Sequence, residues 1–187
     1  LLRRKSIGID LNPQAILLTK EKIKELEDRI GNKKMLSPDC KPIIVEGDAK
    51  GALIKLREAT IAEGSVDLVC THPPYMDSIV YTSNKYDLSN IQDVNIYCKE
   101  IGEIAGELFV LMRKGTLCAI LVGDVRRALK IVPLGFRVMN QFLNEGFVLR
   151  EIIVKIQHQD KSIRFYETKN LAHYLLQHEY LFIFEKP

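Results

Sequence analysis

The 187-residue sequence predicts an α/β fold with a largely parallel sheet. Three observations carry that expectation. Short apolar runs alternate with stretches of helical periodicity, the connections between them are mostly brief, and several of the runs close on an acidic or otherwise polar residue. In sheets of this kind ligands gather at the carboxyl ends of the strands. Asp10, Asp48, the corner His72–Tyr75 and Asp124 all fall at such ends.

The elements follow in order. "SIGID" (6–10) is a short strand, and the segment after it carries Ile16, Ile23, Leu26 and Ile30 at helical spacing. Asn12 is placed as its N-cap, Pro13 as its first helical residue and Gly31 as its C-cap. "PIIVEGDA" (42–49) repeats the pattern of a strand closing on an acid, and "GALIKLREATIAEG" supplies a short helix. "VDLVC" (66–70) is a third strand, apolar enough to suggest cover on both faces. A polar, aromatic-bearing stretch (76–96) leads to the helix "YCKEIGEIAGELFVLMRKG", with Ile101, Ile104, Leu108 and Leu111 on one side. "GTLCAILVGD" is a fourth buried strand, "PLGFRVMNQFLNEGF" another helix, and "VLREIIVKIQ" and "EYLFIFEK" are two closing strands. Residues 157–179 form a long polar connection.

The whole chain, 1–187, reads as one domain, and 47% hydrophobic residues suffice for a core. A net charge of +3 permits a polyanionic partner without demanding one. Cys40, Cys70, Cys98 and Cys118 form no Cys-x-x-Cys pair, and Cys70 and Cys118 sit in apolar runs, as expected of reduced thiols in a cytoplasmic protein. No run approaches ~18 apolar residues and "LLRRKSIGID" lacks a signal-peptide pattern, so a soluble protein without a membrane partner is expected. His158, His173 and His178 are isolated, read as surface or turn residues, and no metal is expected.

"CTHPPY" (70–75) after a buried strand resembles the signature of nucleic-acid methyltransferases that methylate exocyclic amines with S-adenosylmethionine, whose corner usually reads Asp, Asn or Ser followed by Pro-Pro-Tyr. "GIDLNPQAI" resembles their ribose-binding strand, "EGDA" their adenine-binding strand, "CAILVGDVRR" the strand after, and "HEYLFIFEKP" their closing strand. The resemblance covers essentially the whole chain. It implies a Rossmann-like class I methyltransferase fold with a mostly parallel sheet and an antiparallel closing strand.

It also implies roles. Asp10 and Leu11 would hold the cofactor ribose, Asp48 and Ala49 its adenine, with Thr71 beside them. The target amine is a poor nucleophile because its lone pair is delocalised into the ring, so acceptors must be held at a fixed place as it pyramidalises. Pro73 and Pro74 stiffen the turn and remove two donors. The Pro73 carbonyl and the His72 side chain would accept from the amine. Tyr75 would offer a flat face to a flipped-out base, a contact worth about 1–3 kcal/mol. Residues 76–96, with Tyr81 and Tyr86, would close over the target nucleotide. Arg126, Arg127, Lys161 and Arg164 are candidate phosphate contacts.

Two departures from the family pattern stand out. The family's first strand and its glycine-rich turn, which holds the methionine end of the cofactor, match no segment of the sequence, so an N-terminally truncated catalytic domain with a gap in its sheet is expected. A homodimer or a second chain could supply the strand. The second departure is His72 itself. A neutral imidazole presents one acceptor nitrogen and a protonated one presents none, so activity should fall as His72 is protonated.

The leading reading is therefore a DNA methyltransferase of cytosine N4 or adenine N6, the cytosine branch favoured because "THPPY" most resembles its Thr-Ser-Pro-Pro-Tyr corner. The alternatives are an RNA amino-methyltransferase and a non-catalytic nucleic-acid-binding remnant.

Overall fold

The computed structural model describes residues 4–30, 41–157 and 176–187. The chain runs β1 (Ile7–Asp10), α1 (Pro13–Ile30), β2 (Ile43–Glu46), α2 (Ala52–Glu58), β3 (Val66–Thr71), α3 (Val94–Leu111), β4 (Met112–Val122), β5 (Val125–Arg127), β6 (Lys130–Val132), α4 (Leu134–Asn144), β7 (Val148–Ile156) and β8 (His178–Glu185).

The helix starts follow local chemistry. Pro13 opens α1, whose pre-set φ suits the first turn, and the Asn12 carboxamide oxygen accepts from Gln14 N at 2.9 Å. Asp93 caps α3 by accepting from Asn95 N at 2.7 Å and Ile96 N at 3.0 Å. No side chain of its own segment caps α2; instead Glu107 of α3 accepts from Gly51 N at 2.7 Å and Leu53 N at 2.9 Å. That long-range cap ties the 47–51 turn to the main core. α3 stops four residues before the expected Gly115, because Met112 leaves helical geometry and joins β4.

β3, β4, β8 and β7 form one sheet in that order, β3 parallel to β4 and the other neighbours antiparallel. β1 and β2 form a separate parallel pair, and β5–β6, absent from the sequence expectation, is a small hairpin. Among the described strands the pairings are thus not mostly parallel. The physical reason is that β8 runs back between β4 and the edge strand β7, antiparallel to both, so the second half of the sheet is antiparallel. β8 as an antiparallel closing strand agrees with the expectation.

The core lies on one face of the larger sheet, where Tyr97 and Ile101 of α3 and Val138 and Phe142 of α4 pack on Cys118, Ile120, Phe182 and Phe184. Phe142 stacks on Phe184, ring centroids 4.9 Å apart. β3 is covered on that face only: Val69 packs on the core, whereas Leu68 is 59% exposed and Cys70 is exposed. This corrects the expectation of a strand buried on both faces, because α3 and α4 share one side. Cys98 and Cys118 are buried.

β1 and β3 do not pair with each other. Among the described strands each is paired on one side only, and α2 spans both, packing Ala52 and Leu56 over Ile7, Ile9, Val45 and Val66. The break in the sheet therefore falls beside β1. No described helix is long and apolar enough to cross a membrane.

Candidate active site

The carboxyl ends of β1, β2 and β3 open into one cleft of about 720 Å³. Its first wall is Asp10, Leu11 and Asn12 beyond β1, with Gly47, Asp48 and Ala49 beyond β2. Its second is Thr71, His72, Pro73, Pro74 and Tyr75 beyond β3. Ile101, Ile104, Ile120 and Phe142 give it an apolar floor, and Tyr81 and Tyr86 stand at its rim. Every residue that the sequence marks as catalytic or cofactor-binding thus faces the same space.

Both acids are partly engaged by their own turns. Asp10 Oδ1 accepts from Asn12 N at 2.8 Å and Asp48 Oδ1 from Lys50 N at 2.9 Å. These Asx turns fix the carboxylates at the strand ends and leave the second oxygen of each without a partner among the described residues. Lys50 is held away from the cleft by Glu100 at 2.6 Å and Glu103 at 3.1 Å, and these hydrogen bonds push its ammonium well above its ordinary range.

The corner is braced from behind. The buried Tyr97 hydroxyl donates to the Pro74 carbonyl at 2.6 Å, whereas no donor among the described residues reaches the Pro73 carbonyl. The next residue, Met76, adopts φ +54 with its side chain 1% exposed. A left-handed methionine costs roughly 1–2 kcal/mol, tolerated here because its side chain is locked in the core.

Tyr75 is held by three partners. Its hydroxyl donates to Glu179 Oε1 at 2.7 Å, His72 Nε2 lies 2.7 Å from the same hydroxyl oxygen, and its ring packs on Gly123, where a Cβ would stand 3.0 Å from Cε2. Burial first, then the Glu179 hydrogen bond and charge, push the phenol far above its ordinary range. Glu179 itself accepts from Lys155 Nζ at 2.6 Å, with its side chain 7% exposed. Burial alone would raise its carboxyl, but hydrogen bonds from Lys155, Tyr75 and Gln157 outweigh it and hold the group below the usual carboxylate range. His72, by contrast, is 56% exposed at the cleft.

The 76–96 segment is organised around Asp87, which accepts from Thr82 Oγ1 at 2.7 Å and Ser89 N at 2.8 Å. Its burial favours the neutral acid, yet those two bonds prevail and keep the carboxyl low. Ser89 Oγ in turn accepts from Tyr81 N at 3.0 Å. The buried knot leaves the Tyr81 and Tyr86 rings exposed, 58% and 57%, at the mouth of the cleft.

The basic candidates lie apart. Arg126 and Arg127 belong to β5 in the hairpin; Arg126 donates to Leu129 O at 3.1 Å, and Arg127 forms an ion pair with Asp77 that holds the hairpin to the loop after the corner. Lys161 and Arg164, like His158 and His173, lie outside the described residues. Asp124 accepts from Gly135 N at 2.9 Å and so serves the first turn of α4. His178 is not a turn residue but half-buried in β8, its Nε2 2.9 Å from Tyr180 Oη. Among the described residues no group of three or more His, Cys, Asp or Glu is placed to hold a metal ion.

Sequence reasoning missed Glu179, Lys155, Tyr97 and Gly123. Glu179 is separated from Tyr75 by 104 positions, and only its place within "HEYLFIFEKP" hinted at a role.

No protein-family model matches the chain, and no curated protein matches it. Solved structures do. A candidate DNA modification methylase of Thermus thermophilus, crystallised with S-adenosylmethionine, is 27% identical with a TM-score of 0.53, covering 75% of this chain and 54% of its own. PvuII DNA methyltransferase, cytosine-N4-specific, is 19% identical with a TM-score of 0.59, covering 75% and 48%. A Methanosarcina mazei methyltransferase dependent on S-adenosylmethionine is 13% identical with a TM-score of 0.56, covering 96% and 81%. The fold is that of S-adenosylmethionine-dependent methyltransferases. The chain spans about half the length of the Thermus and PvuII proteins.

Proposed function

We propose that this chain carries the catalytic cleft of a methyltransferase that uses S-adenosylmethionine to methylate an exocyclic amine in DNA, cytosine N4 or adenine N6. The single observation that supports this best is that the His72-Pro-Pro-Tyr75 corner and the two strand-end acids, Asp10 and Asp48, face one cleft. The cofactor supplies an electrophilic methyl group on a sulfonium.

The residues fit such a ligand. Asp10 has one carboxylate oxygen left to accept from ribose hydroxyls, and Asp48 one left to accept from an adenine amine, with Leu11 and Ala49 beside them. Thr71 and the apolar floor line the path from cofactor to corner. At the corner, the Pro73 carbonyl and His72 accept the two amine hydrogens, so that the nitrogen lone pair turns from the base ring toward the methyl group. The nitrogen so oriented would take the methyl as the carbon–sulfur bond breaks, and its proton would leave to solvent. The Tyr75 ring and the rim tyrosines 81 and 86 provide aromatic surfaces for a flipped base.

The break between β1 and β3 lies beside the cofactor acids. We read it as the seat of a further parallel strand that completes the cofactor pocket, with a homodimer partner or a second chain as one source of it; a monomer that binds the cofactor fully rejects that source.

Calorimetry with S-adenosylmethionine and its demethylated product tests the central reading. Micromolar binding, lost in Asp10→Ala and Asp48→Ala, is expected; at 100 times Kd the ligand would stabilise the fold by about 2.7 kcal/mol. Nucleoside analysis after incubation with unmethylated DNA and RNA then identifies the product. Absence of both heat and thermal stabilisation would leave the non-catalytic reading in its place.

A further inference from the structure

We propose that Glu179, acting through Tyr75, sets the tautomer of His72 and thereby makes Nδ1 the atom that accepts the substrate amine. The inference rests on the amine-accepting role read for His72, and it assigns a positioning residue that the sequence motif does not contain. An amide or carboxylate at position 72 always presents an oxygen acceptor. An imidazole does not, because its single hydrogen can sit on either nitrogen. Something must choose.

The hydrogen count makes the choice. Glu179 is buried, ion-paired to Lys155 through Oε2, and only accepts. Its Oε1 therefore takes the one hydrogen of the Tyr75 hydroxyl, 2.7 Å away. The phenolic oxygen then has only lone pairs to offer His72 Nε2, also at 2.7 Å. That contact is a hydrogen bond only if Nε2 carries the hydrogen. Nδ1, on the other side of the ring, is left as the acceptor and has no partner among the described residues.

The chain of donors is Lys155 to Glu179, Tyr75 to Glu179, His72 to Tyr75. The donors converge on Glu179 from both sides, and a carboxylate that can only accept gives the Tyr75–His72 arm its fixed direction. Gly123 and Glu179 hold the Tyr75 ring in place, so the relay cannot relax by swinging the phenol away.

Substituting Glu179→Gln should reverse the relay. Lys155 requires the amide oxygen, which turns the amide nitrogen toward Tyr75; the phenolic hydrogen then points at His72 Nε2, and the ring hydrogen moves to Nδ1. A donor would then face the substrate amine.

Long-range proton–nitrogen NMR of the full chain at pH 8 reads this directly, His72 being assigned by its loss in His72→Asn. In the wild type Nε2 should give the protonated-nitrogen signal and Nδ1 the lone-pair signal; in Glu179→Gln the two should exchange. Tyr75→Phe, which only removes a hydroxyl, should leave a mixture of both forms. A wild type with the hydrogen on Nδ1, or a folded Glu179→Gln with unchanged signals, overturns the proposal.

Methyl transfer supplies the second arm. Glu179→Gln should lower kcat about 10²-fold, with cofactor affinity intact, as expected when one preorganised hydrogen-bonding group is lost from the transition state. In the His72→Asn background, where no tautomer exists, the same substitution should change kcat by no more than about twofold. An undiminished loss there would mean that Glu179 acts only on structure. A wild type that shows the assigned tautomer but transfers no methyl group defeats the functional reading and leaves the relay standing.

Discussion

Gly123→Ala offers a direct test of how tightly the corner is held. A Cβ at this position would stand 3.0 Å from Tyr75 Cε2 and 3.5 Å from both Tyr75 Cδ2 and Glu179 Cγ. Carbon atoms rest at about 3.5–4.0 Å, so the tyrosine edge must retreat by roughly 0.5 Å. Glu179 cannot follow, because Lys155 holds its other oxygen at 2.6 Å. The two 2.7 Å contacts of the Tyr75 hydroxyl would stretch to about 3.2 Å, the edge of useful hydrogen bonding. Weakening one bond to a charged acceptor and one to an exposed imidazole costs about 1–3 kcal/mol. Alanine returns about 0.4–1 kcal/mol through the unfolded chain, which sets the net loss between roughly 0 and 2.6 kcal/mol, about 1.3 kcal/mol at its centre. For a chain of this size that central value lowers Tm by about 3–5 °C. Urea denaturation of Gly123→Ala, Tyr75→Phe and the double variant measures the coupling. If the strain acts through the hydroxyl, the alanine should cost clearly less in the Tyr75→Phe background, by about 1 kcal/mol. A neutral Gly123→Ala, or an equal cost in both backgrounds, refutes the reasoning.

Other perturbations separate further parts of the argument. Tyr97→Phe strips the Pro74 carbonyl of its buried donor and should destabilise by about 1–3 kcal/mol in urea while leaving cofactor affinity within about twofold. Glu107→Ala removes the only side-chain cap found for α2 among the described residues; a loss of about 1–2 kcal/mol, with weaker S-adenosylmethionine binding through the loosened 47–51 turn, is expected by calorimetry. The Asp87 carboxyl is held below its unfolded value, so its stabilisation is complete above the usual carboxylate range, ~4, and fades as acid protonates the native form. The penalty of Asp87→Ala should thus be largest near neutrality and shrink as pH falls through about 4 and below; a penalty independent of pH counts against the assignment. Peptide mapping after brief alkylation should find Cys70 modified in the native protein, with Cys98 and Cys118 protected, the thiol of the latter pushed up to about 12 by burial and by Cys70. Equal labelling of Cys118 would contradict the packing of β4.

Much of this protein was legible in one dimension because its decisions are local. Alternating apolar runs and helical periodicity located the strands and helices, and Asn12-Pro13 marked the start of α1 to the residue. A strand that ends in an acid places that acid at the sheet edge whatever the rest of the chain does, which is why Asp10, Asp48 and the His72–Tyr75 corner emerged as one site. The rigidity of Pro73-Pro74 is likewise a property of those two rings.

The remaining features depend on contacts between distant segments, where periodicity carries no information. The antiparallel half of the sheet follows from β8 entering between β4 and β7, a matter of packing order. Leu68 and Cys70 looked like core residues by their apolar run, yet both helices chose the other face of β3. Glu179 reads as one more charge near a strand start; only the fold brings it to Tyr75 and pairs it with Lys155. The sequence by itself determined which side chains the strand ends carry to the cleft. The tertiary structure alone decided the hydrogen-bond direction at the corner, because Lys155, the acceptor Glu179 and the Tyr75–His72 pair come from three separate segments that must converge, each contact closing at 2.6 or 2.7 Å.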